Sequence, residues 1–182
     1  MDEVELKREL ERAHADCFGW AMACCRRDRD DAEEVLQTVY LTVLDGRARY
    51  NGRSSFRTWL FGVIRLTAAS ERRKAWLRGM LLERESGKRD GGGGKREAGI
   101  LAPDSFPAPD AEVELESRRQ SLGHSLAQLA ARQREVLQLV FYHDLTVEEA
   151  AAVMRVSVGS ARTHYARGKA RLATLLGNSR EL

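Results

Sequence analysis

Apolar residues recur at helical spacing through two long stretches of the chain, and a segment rich in glycine and proline separates the two. Neither stretch shows the strict alternation of apolar and polar residues that marks a β-strand. All three prolines, and a glycine run from Gly91 to Gly94, lie in the separating segment, where such residues predict a linker. The sequence therefore predicts an all-α protein with two small helical domains, residues 1–78 and 120–182, joined by a flexible linker at residues 79–119.

Composition and charge exclude several classes of protein. The 182 residues are 43% hydrophobic and 31% charged, and no apolar run is long enough to span a bilayer, so no membrane insertion is expected. The acidic start, Met1 to Glu5, lacks the apolar stretch of a secretory signal, which predicts a cytoplasmic protein. The net charge of +3 is small, so any nucleic-acid surface must come from local clusters of cations.

Chemistry-bearing residues form no recognisable catalytic or metal-binding pattern. Cys17 and Cys24 could share one side of the first helix with His14 as a metal or redox site. The odd cysteine count and the lack of a Cys-x-x-Cys motif favour small core residues instead. The histidines are dispersed, and no nucleophile or phosphate-loop motif is present. We therefore expect no enzymatic activity, no cofactor and no metal.

The first stretch predicts three helices. The first covers residues 3–26, and the second begins at Asp30 or Asp31, where a carboxylate can cap the helix N-terminus. The third runs from Ser55 to Trp76, and its apolar residues follow the spacing i, i+3, i+4, i+7, i+8 and i+11 of one buried stripe. That stripe consists of Phe56, Trp59, Leu60, Val63, Ile64 and Thr67.

The opposite face of the third predicted helix is cationic. From Arg57 to Arg78 there are six basic residues and one acid, Glu71. Cations interleaved with aromatic rings suit single-stranded nucleic acid, although a solvated basic helix whose aromatics complete the core explains this segment alone equally well. The residues assigned to this face are Arg57, Phe61, Arg65, Arg72 and Arg73.

The second stretch predicts a helix-turn-helix. A helix over residues 126–142 precedes a short turn, after which Thr146 and Glu149 form a capping box for a short helix. A second turn with Ser157 as the N-cap leads into a final helix from Val158 to about Leu176. This order of elements is typical of a DNA-binding helix-turn-helix.

The final helix has the charge of a recognition helix, because it contains no acid from Val158 to Leu172. Its polar and basic side chains can reach base edges or phosphates in a major groove, while Ala161, Tyr165 and Leu172 are expected to face inward. A three-helix bundle with a solvated basic helix is the alternative interpretation. The candidate DNA-binding residues are Ser160, Arg162, Thr163, Arg167 and Lys169.

Segments of both stretches, in order, resemble a bacterial RNA polymerase sigma factor of the extracytoplasmic-function (ECF) type. Residues 31–40 resemble the polymerase-docking helix of that family, and residues 53–60 resemble its promoter-melting loop and helix. Residues 132–137 and 158–163 resemble its C-terminal domain.

The resemblance implies two partners, core RNA polymerase and promoter DNA. The loop before the third helix would hold a base flipped from the −10 element, the third helix would follow the separated strand, and the final helix would read the −35 element as duplex. An anti-sigma factor is a further partner that the family allows, although no residue pattern marks one. By this resemblance the residues that bind the polymerase are Glu34, Gln37, Thr38 and Leu41. The residues that contact the −10 element are Asn51, Arg53, Ser54, Ser55, Arg57, Phe61 and Arg65. The residues that contact the −35 element are the candidates named on the final helix.

The chain also departs from the family pattern. Thr38 stands where an acid is usual, and Leu66 replaces a common asparagine. A rival hypothesis is a free-standing helix-turn-helix regulator that binds DNA without polymerase. That rival explains the second stretch but gives the aromatic, arginine-lined helix of the first stretch no function.

Overall fold

A computed structural model describes residues 2–86 and 122–178. The chain divides into two compact units, one within Met1–Ala98 and one within Gly99–Leu182. Helices are the only regular secondary structure in the described residues. The predicted all-α class is therefore confirmed.

The N-terminal unit consists of three helices: α1 (Glu3–Cys24), α2 (Arg29–Leu44) and α3 (Phe56–Ser86). The N-cap of α2 is Asp28, whose Oδ1 accepts a hydrogen bond from the Asp31 amide at 3.1 Å. The prediction of Asp30 or Asp31 as the N-cap is wrong, since both lie in the first turn of α2. There the helix dipole interacts favourably with their negative charges. The end predicted for α3 at Trp76 is also wrong: with no proline to stop it, α3 continues to Ser86 and includes the first residues assigned to the linker. Residues 87–119 of the predicted linker lie outside the described residues.

The core of the N-terminal unit forms around Trp20 of α1. Trp20 is 1% exposed, and its indole N–H donates to the carbonyl oxygen of Phe61 at 3.0 Å. The rings of Trp20 and Phe61 are stacked with centroids 5.8 Å apart. This contact fixes α3 against α1 through both ring packing and a satisfied buried donor.

The buried face of α3 is rotated from the predicted stripe. Its apolar residues are Leu60, Phe61, Ile64 and Ala68, each at most 1% exposed, and Thr58 is also buried. At 100° per residue these positions centre roughly a quarter turn away from the predicted stripe. Four residues of that stripe are only half-buried, at the edge of the core: Phe56, Trp59, Val63 and Thr67.

The C-terminal unit contains helical residues 122–127, α4 (Ala131–Phe141), α5 (Val147–Met154) and α6 (Val158–Asn178). The single helix predicted over 126–142 is wrong, because the helix is interrupted before α4, where Ala130 has an extended backbone (φ −57°, ψ 143°). Leu129, just before the break, is buried. The sequence has no glycine or proline at this position that would have predicted the interruption.

The predicted helix-turn-helix is present as α5, its turn and α6. The capping box is complete: Thr146 Oγ1 accepts from the Glu149 amide at 3.1 Å, and Glu149 Oε2 accepts from the Thr146 amide at 2.9 Å. Ser157 Oγ accepts from the Ser160 amide at 3.1 Å at the start of α6. The capping box thus fixes the start of α5 and the Ser157 cap fixes the start of α6, so local hydrogen bonds determine where both helices begin.

Candidate nucleic-acid and polymerase interfaces

The loop before α3 is held by its own polar groups. Asn51 Oδ1 accepts from the Arg53 amide at 3.2 Å, and Gly52 has a φ of 74°, which side-chain-bearing residues rarely adopt. Ser55 Oγ accepts from the Thr58 amide at 3.1 Å and so caps α3. The loop is ordered by these bonds while the side chains of Asn51 and Arg53 are exposed.

Three aromatic rings adjoin this loop. The rings of Tyr50, Phe56 and Trp59 contact one another with centroid distances of 5.4 to 5.5 Å, and the Tyr50 hydroxyl donates to the carbonyl of Ser54. All three residues are half-buried. The sequence interpretation missed Tyr50, although its position directly before the polar loop was a usable signal.

The cationic face predicted for α3 is partly closed. Phe61 is 0% exposed, so the prediction that it follows an unpaired DNA strand is wrong. The Arg57 guanidinium lies 5.3 Å from the Phe61 ring centroid, and Arg57 Nη2 forms an ion pair with Asp16 Oδ2 of α1 at 3.0 Å. Arg65 is half-buried, whereas Arg73 is exposed. Arg57 lies one turn before both Leu60 and Phe61, and this spacing draws it toward the core.

The polymerase-binding residues predicted on α2 lie on its outer face. Glu34 and Gln37 are exposed, and Leu41 is an apolar residue that is 53% exposed. Thr38 is half-buried, and its carbonyl accepts from Thr42 Oγ1 at 2.7 Å. These four residues therefore share one side of α2, with Leu41 as the apolar member.

A groove that the sequence interpretation missed lies beside this surface, between α1 and α2. His14 Nδ1 and the Tyr40 hydroxyl are hydrogen-bonded at 3.0 Å along it. The Arg29 guanidinium lies 5.7 Å from the Phe18 ring centroid. The groove is lined by His14, Phe18, Arg29, Glu33, Glu34, Leu36, Gln37 and Tyr40.

The recognition helix, α6, buries only a narrow stripe. Ala161 and Gly168 are buried, and Tyr165 and Leu172 are half-buried, which agrees with the inward positions predicted for this helix. A Cβ atom on Gly168 would lie 3.1 Å from Leu137 Cδ1, so α6 and α4 approach closely at this glycine. The five candidate DNA-binding residues are all exposed: Ser160, Arg162, Thr163, Arg167 and Lys169.

Three of the exposed side chains of α6 contact neighbouring groups of the protein. Arg162 Nη2 forms an ion pair with Glu148 Oε1 of α5 at 2.7 Å, which lowers the pKa of the Glu148 carboxyl. Lys169 Nζ lies 5.5 Å from the Tyr165 ring centroid, and that ring stacks on Phe141. Thr163 Oγ1 donates to the Gly159 carbonyl at 3.0 Å, so its methyl group, not its hydroxyl, is the freer part of the side chain.

The buried thiols are poor candidates for metal or redox chemistry. Burial raises the pKa of Cys17 to about 12 and that of Cys25 to about 11, whereas a thiolate is the reactive and metal-binding form. Across residues 2–86 and 122–178, no three His, Cys, Asp or Glu side chains are grouped closely enough to hold a metal ion. In the same residues no helix is both long and apolar enough to cross a membrane.

Comparison with known proteins identifies both units. Residues 10–78 match the family Sigma-70 region 2, and residues 119–172 match the family Sigma-70, region 4. The chain is 30% identical over 142 residues to the ECF RNA polymerase sigma factor SigX of Bacillus subtilis (strain 168), which is 78% of this chain and 69% of SigX. The chain belongs to the ECF sigma factors. The RNA polymerase sigma factor CarQ of Myxococcus xanthus is a further relative, 29% identical over 146 residues that cover 80% of this chain and 75% of CarQ.

A solved structure agrees with the fold of this sigma factor. The sigma factor RpoE in complex with the anti-sigma factor NepR from Bartonella quintana has a TM-score of 0.69 to this chain at 23% identity, and the likeness covers 95% of this chain and 97% of that one. At this identity the likeness shows the fold alone.

Membership of this family decides between the two hypotheses drawn from the sequence. A sigma factor binds core RNA polymerase and directs it to promoters, and the family consists of proteins that are not enzymes. The predicted family is confirmed. The rival hypothesis of a free-standing regulator is wrong, because the chain carries both the region 2 and the region 4 modules.

Proposed function

We propose that the two units of this sigma factor divide promoter recognition between them in the cytoplasm. The N-terminal unit docks on core RNA polymerase and holds the opened −10 element, the C-terminal unit reads the −35 element as duplex, and the segment after α3 connects them. The observation that carries this proposal is that the five polar and basic candidates on α6 are all exposed, while the helix buries only small residues, Ala161 and Gly168. The chain itself supplies positioning and strand separation, and catalysis belongs to the polymerase.

The −35 contact is assigned to α6. Its exposed residues include Arg162 and Arg167, whose guanidinium groups can pair bidentately with guanine or contact phosphates. Ser160, Thr163 and Lys169 are exposed as well. Because small residues such as Ala161 let α6 lie close to its neighbours, the rest of the helix is left free to enter a groove.

The −10 contact is assigned to the loop before α3. A flipped base costs a few kcal/mol of lost stacking and pairing, which a preformed pocket must offset. The ordered loop offers the exposed groups of Asn51, Arg53 and Ser55 and, beside them, the aromatic cluster that includes Tyr50 and Trp59. Polar groups that read a base edge therefore adjoin rings that can stack on it. Ser54, Arg57 and Arg65 complete this assignment as half-buried neighbours.

Docking on the polymerase is assigned to the outer face of α2. Leu41 is an exposed apolar side chain among Glu34, Gln37 and Thr38, and a central apolar contact with a polar rim is typical of protein interfaces. An anti-sigma factor is proposed as a competing partner, supported by the neighbouring sigma factor RpoE in its complex with NepR. Pull-down of core enzyme by the wild type and by Leu41→Asp tests the docking surface, and equal recovery by both would remove α2 from it.

The proposal as a whole is tested by transcription in vitro. Purified chain is added to core RNA polymerase with a library of genomic fragments, and initiation is mapped. We expect start sites to appear only when the chain and core enzyme are both present. Duplex binding by the chain alone, equal in strength to that of the holoenzyme, would contradict the proposal.

Asn51→Ala separates strand opening from folding. The exposed Asn51 side chain bonds only locally to the Arg53 amide, so the thermal melt should stay unchanged while the permanganate reactivity of the −10 thymines falls. Phe56→Ala is the matched control, since loss of its ring disturbs the cluster with Trp59 and lowers stability. Normal opening by the Asn51 variant would remove that residue from the −10 assignment.

Arg162→Ala tests the −35 assignment. Loss of one arginine–base contact should reduce discrimination at one −35 base pair by about 1–3 kcal/mol. The measurement is initiation from promoters that differ at single −35 positions. An equal loss on every promoter would show that Arg162 contacts phosphate only.

A further inference from the structure

The ion pair between Arg162 and Glu148 joins the two helices of the helix-turn-helix. Arg162 Nη2 and Glu148 Oε1 are 2.7 Å apart, although the residues are 14 positions apart in the chain. By contrast, Arg12 with Glu9 and Arg132 with Glu135 pair along a single helix. The Arg162–Glu148 contact therefore depends on how α5 and α6 cross.

The backbone on both sides of this pair is fixed by independent contacts. Glu148 lies in the first turn of α5, where the capping box is made by Thr146 and Glu149 and not by Glu148 itself. Arg162 follows the fully buried Ala161 on α6. The backbone positions of Glu148 and Arg162 are thus set by contacts that other residues make.

A fixed carboxylate has a specific effect on an arginine beside a base. A free arginine side chain loses considerable rotamer entropy when it is ordered by a partner. A guanidinium carries five N–H donors, so a donation from Nη2 to Glu148 leaves enough donors for a bidentate pair with guanine. The side chains remain accessible, with 67% of Arg162 and 53% of Glu148 exposed.

We propose that Glu148 is a positioning residue that holds the Arg162 guanidinium toward a base edge and so determines part of the −35 sequence preference. This inference rests on the proposed −35 role of α6. Glu148 itself need not contact DNA, and its carboxylate repels phosphates. Its removal should therefore weaken sequence discrimination without weakening general attraction to DNA.

The test uses full-length chain with core RNA polymerase and promoters varied at each −35 base pair. The chains compared are wild type, Glu148→Gln, Arg162→Ala and the double variant. Glu148→Gln should lower the preference at the base pair that Arg162→Ala relaxes by about two- to fivefold, as expected for an exposed ion pair. In the Arg162→Ala background the same change should have no effect on preference.

Two further variants separate positioning from charge. Glu148→Asp keeps the charge but shortens the side chain, and should also lower the preference. Asp144→Asn removes one negative charge from the turn before α5, where φ is 51° and asparagine is tolerated, and should leave the preference unchanged.

The outcomes distinguish this inference from the proposed function. If Arg162→Ala relaxes a position that Glu148→Gln leaves unchanged, the positioning role is overturned and the −35 assignment stands. If Glu148→Gln raises initiation equally on all promoters, the carboxylate only masks Arg162 and the positioning role is overturned. If Arg162→Ala relaxes no position, the base contact assigned to Arg162 and this inference fail together, whereas the assignment of α6 to the −35 element is tested by the transcription assay.

Discussion

α3 and α6 are the basic helices of their respective units, but they present their cations differently. α3 buries two large adjacent residues, Leu60 and Phe61, where it packs against α1 and α2. That broad contact draws Arg57 into an ion pair with Asp16. α6 instead buries small residues on a narrow stripe, and Arg162 remains two-thirds exposed. Similar charge patterns in sequence therefore yield a partly closed face on one helix and an open one on the other.

Phe61→Ala gives the largest expected effect and tests the closed side of this comparison. Loss of the ring from the Trp20 contact should lower the free energy of unfolding by about 3–5 kcal/mol. All three tryptophans lie in the N-terminal unit, so their fluorescence during denaturant unfolding reports this unit. Phe61→Leu, which keeps an apolar core side chain, should lose less stability and still support promoter opening. A Phe61→Ala chain that folds normally yet fails to open promoters would show that Phe61 contacts DNA after all.

Gly168→Ala tests the narrow stripe of α6. The added methyl group would meet Leu137 Cδ1 at 3.1 Å and Gln133 Cβ at 3.2 Å, and overpacking of this kind costs about 1–3 kcal/mol. Gly177→Ala is the matched control on the same helix, because nothing lies within 4 Å of its added Cβ. Unfolding followed by far-UV circular dichroism should show Gly168→Ala to be the less stable variant. Equal stability of the two would mean that α6 is not closely packed there.

Asp16→Asn gives the smallest expected effect. Half of the Asp16 side chain is exposed, so loss of its pair with Arg57 should cost only about 0.2–1 kcal/mol. The difference should shrink in 1 M salt, where charges on partly exposed groups are screened. Denaturant unfolding at low and high salt measures it, and a difference that persists in high salt would show that packing on Phe61, not charge, holds Arg57.

Local signals predicted the C-terminal unit more accurately than the N-terminal unit. The capping box of Thr146 and Glu149 and the cap at Ser157 depend on residues three positions apart, so sequence alone placed α5 and the start of α6. The interruption of the helix before α4 was not predicted, because no turn-forming residue lies there. In the N-terminal unit, Trp20 and Tyr50 were missed, and the face of α3 was misplaced.

The sequence by itself determined that the chain is helical and which family it belongs to, because periodicity and motif order are local or linear properties. Tertiary structure decided which side of α3 is buried, because apolar residues flank Leu60 on both sides of the helix surface. The side not chosen carries Phe56, Trp59 and Val63, and the side that forms the core carries Phe61, Ile64 and Ala68. Packing against α1 selected Phe61 through the Trp20 ring and its indole N–H. The pairing of Arg162 with Glu148 was likewise decided by the crossing of two helices, which no spacing along the chain encodes.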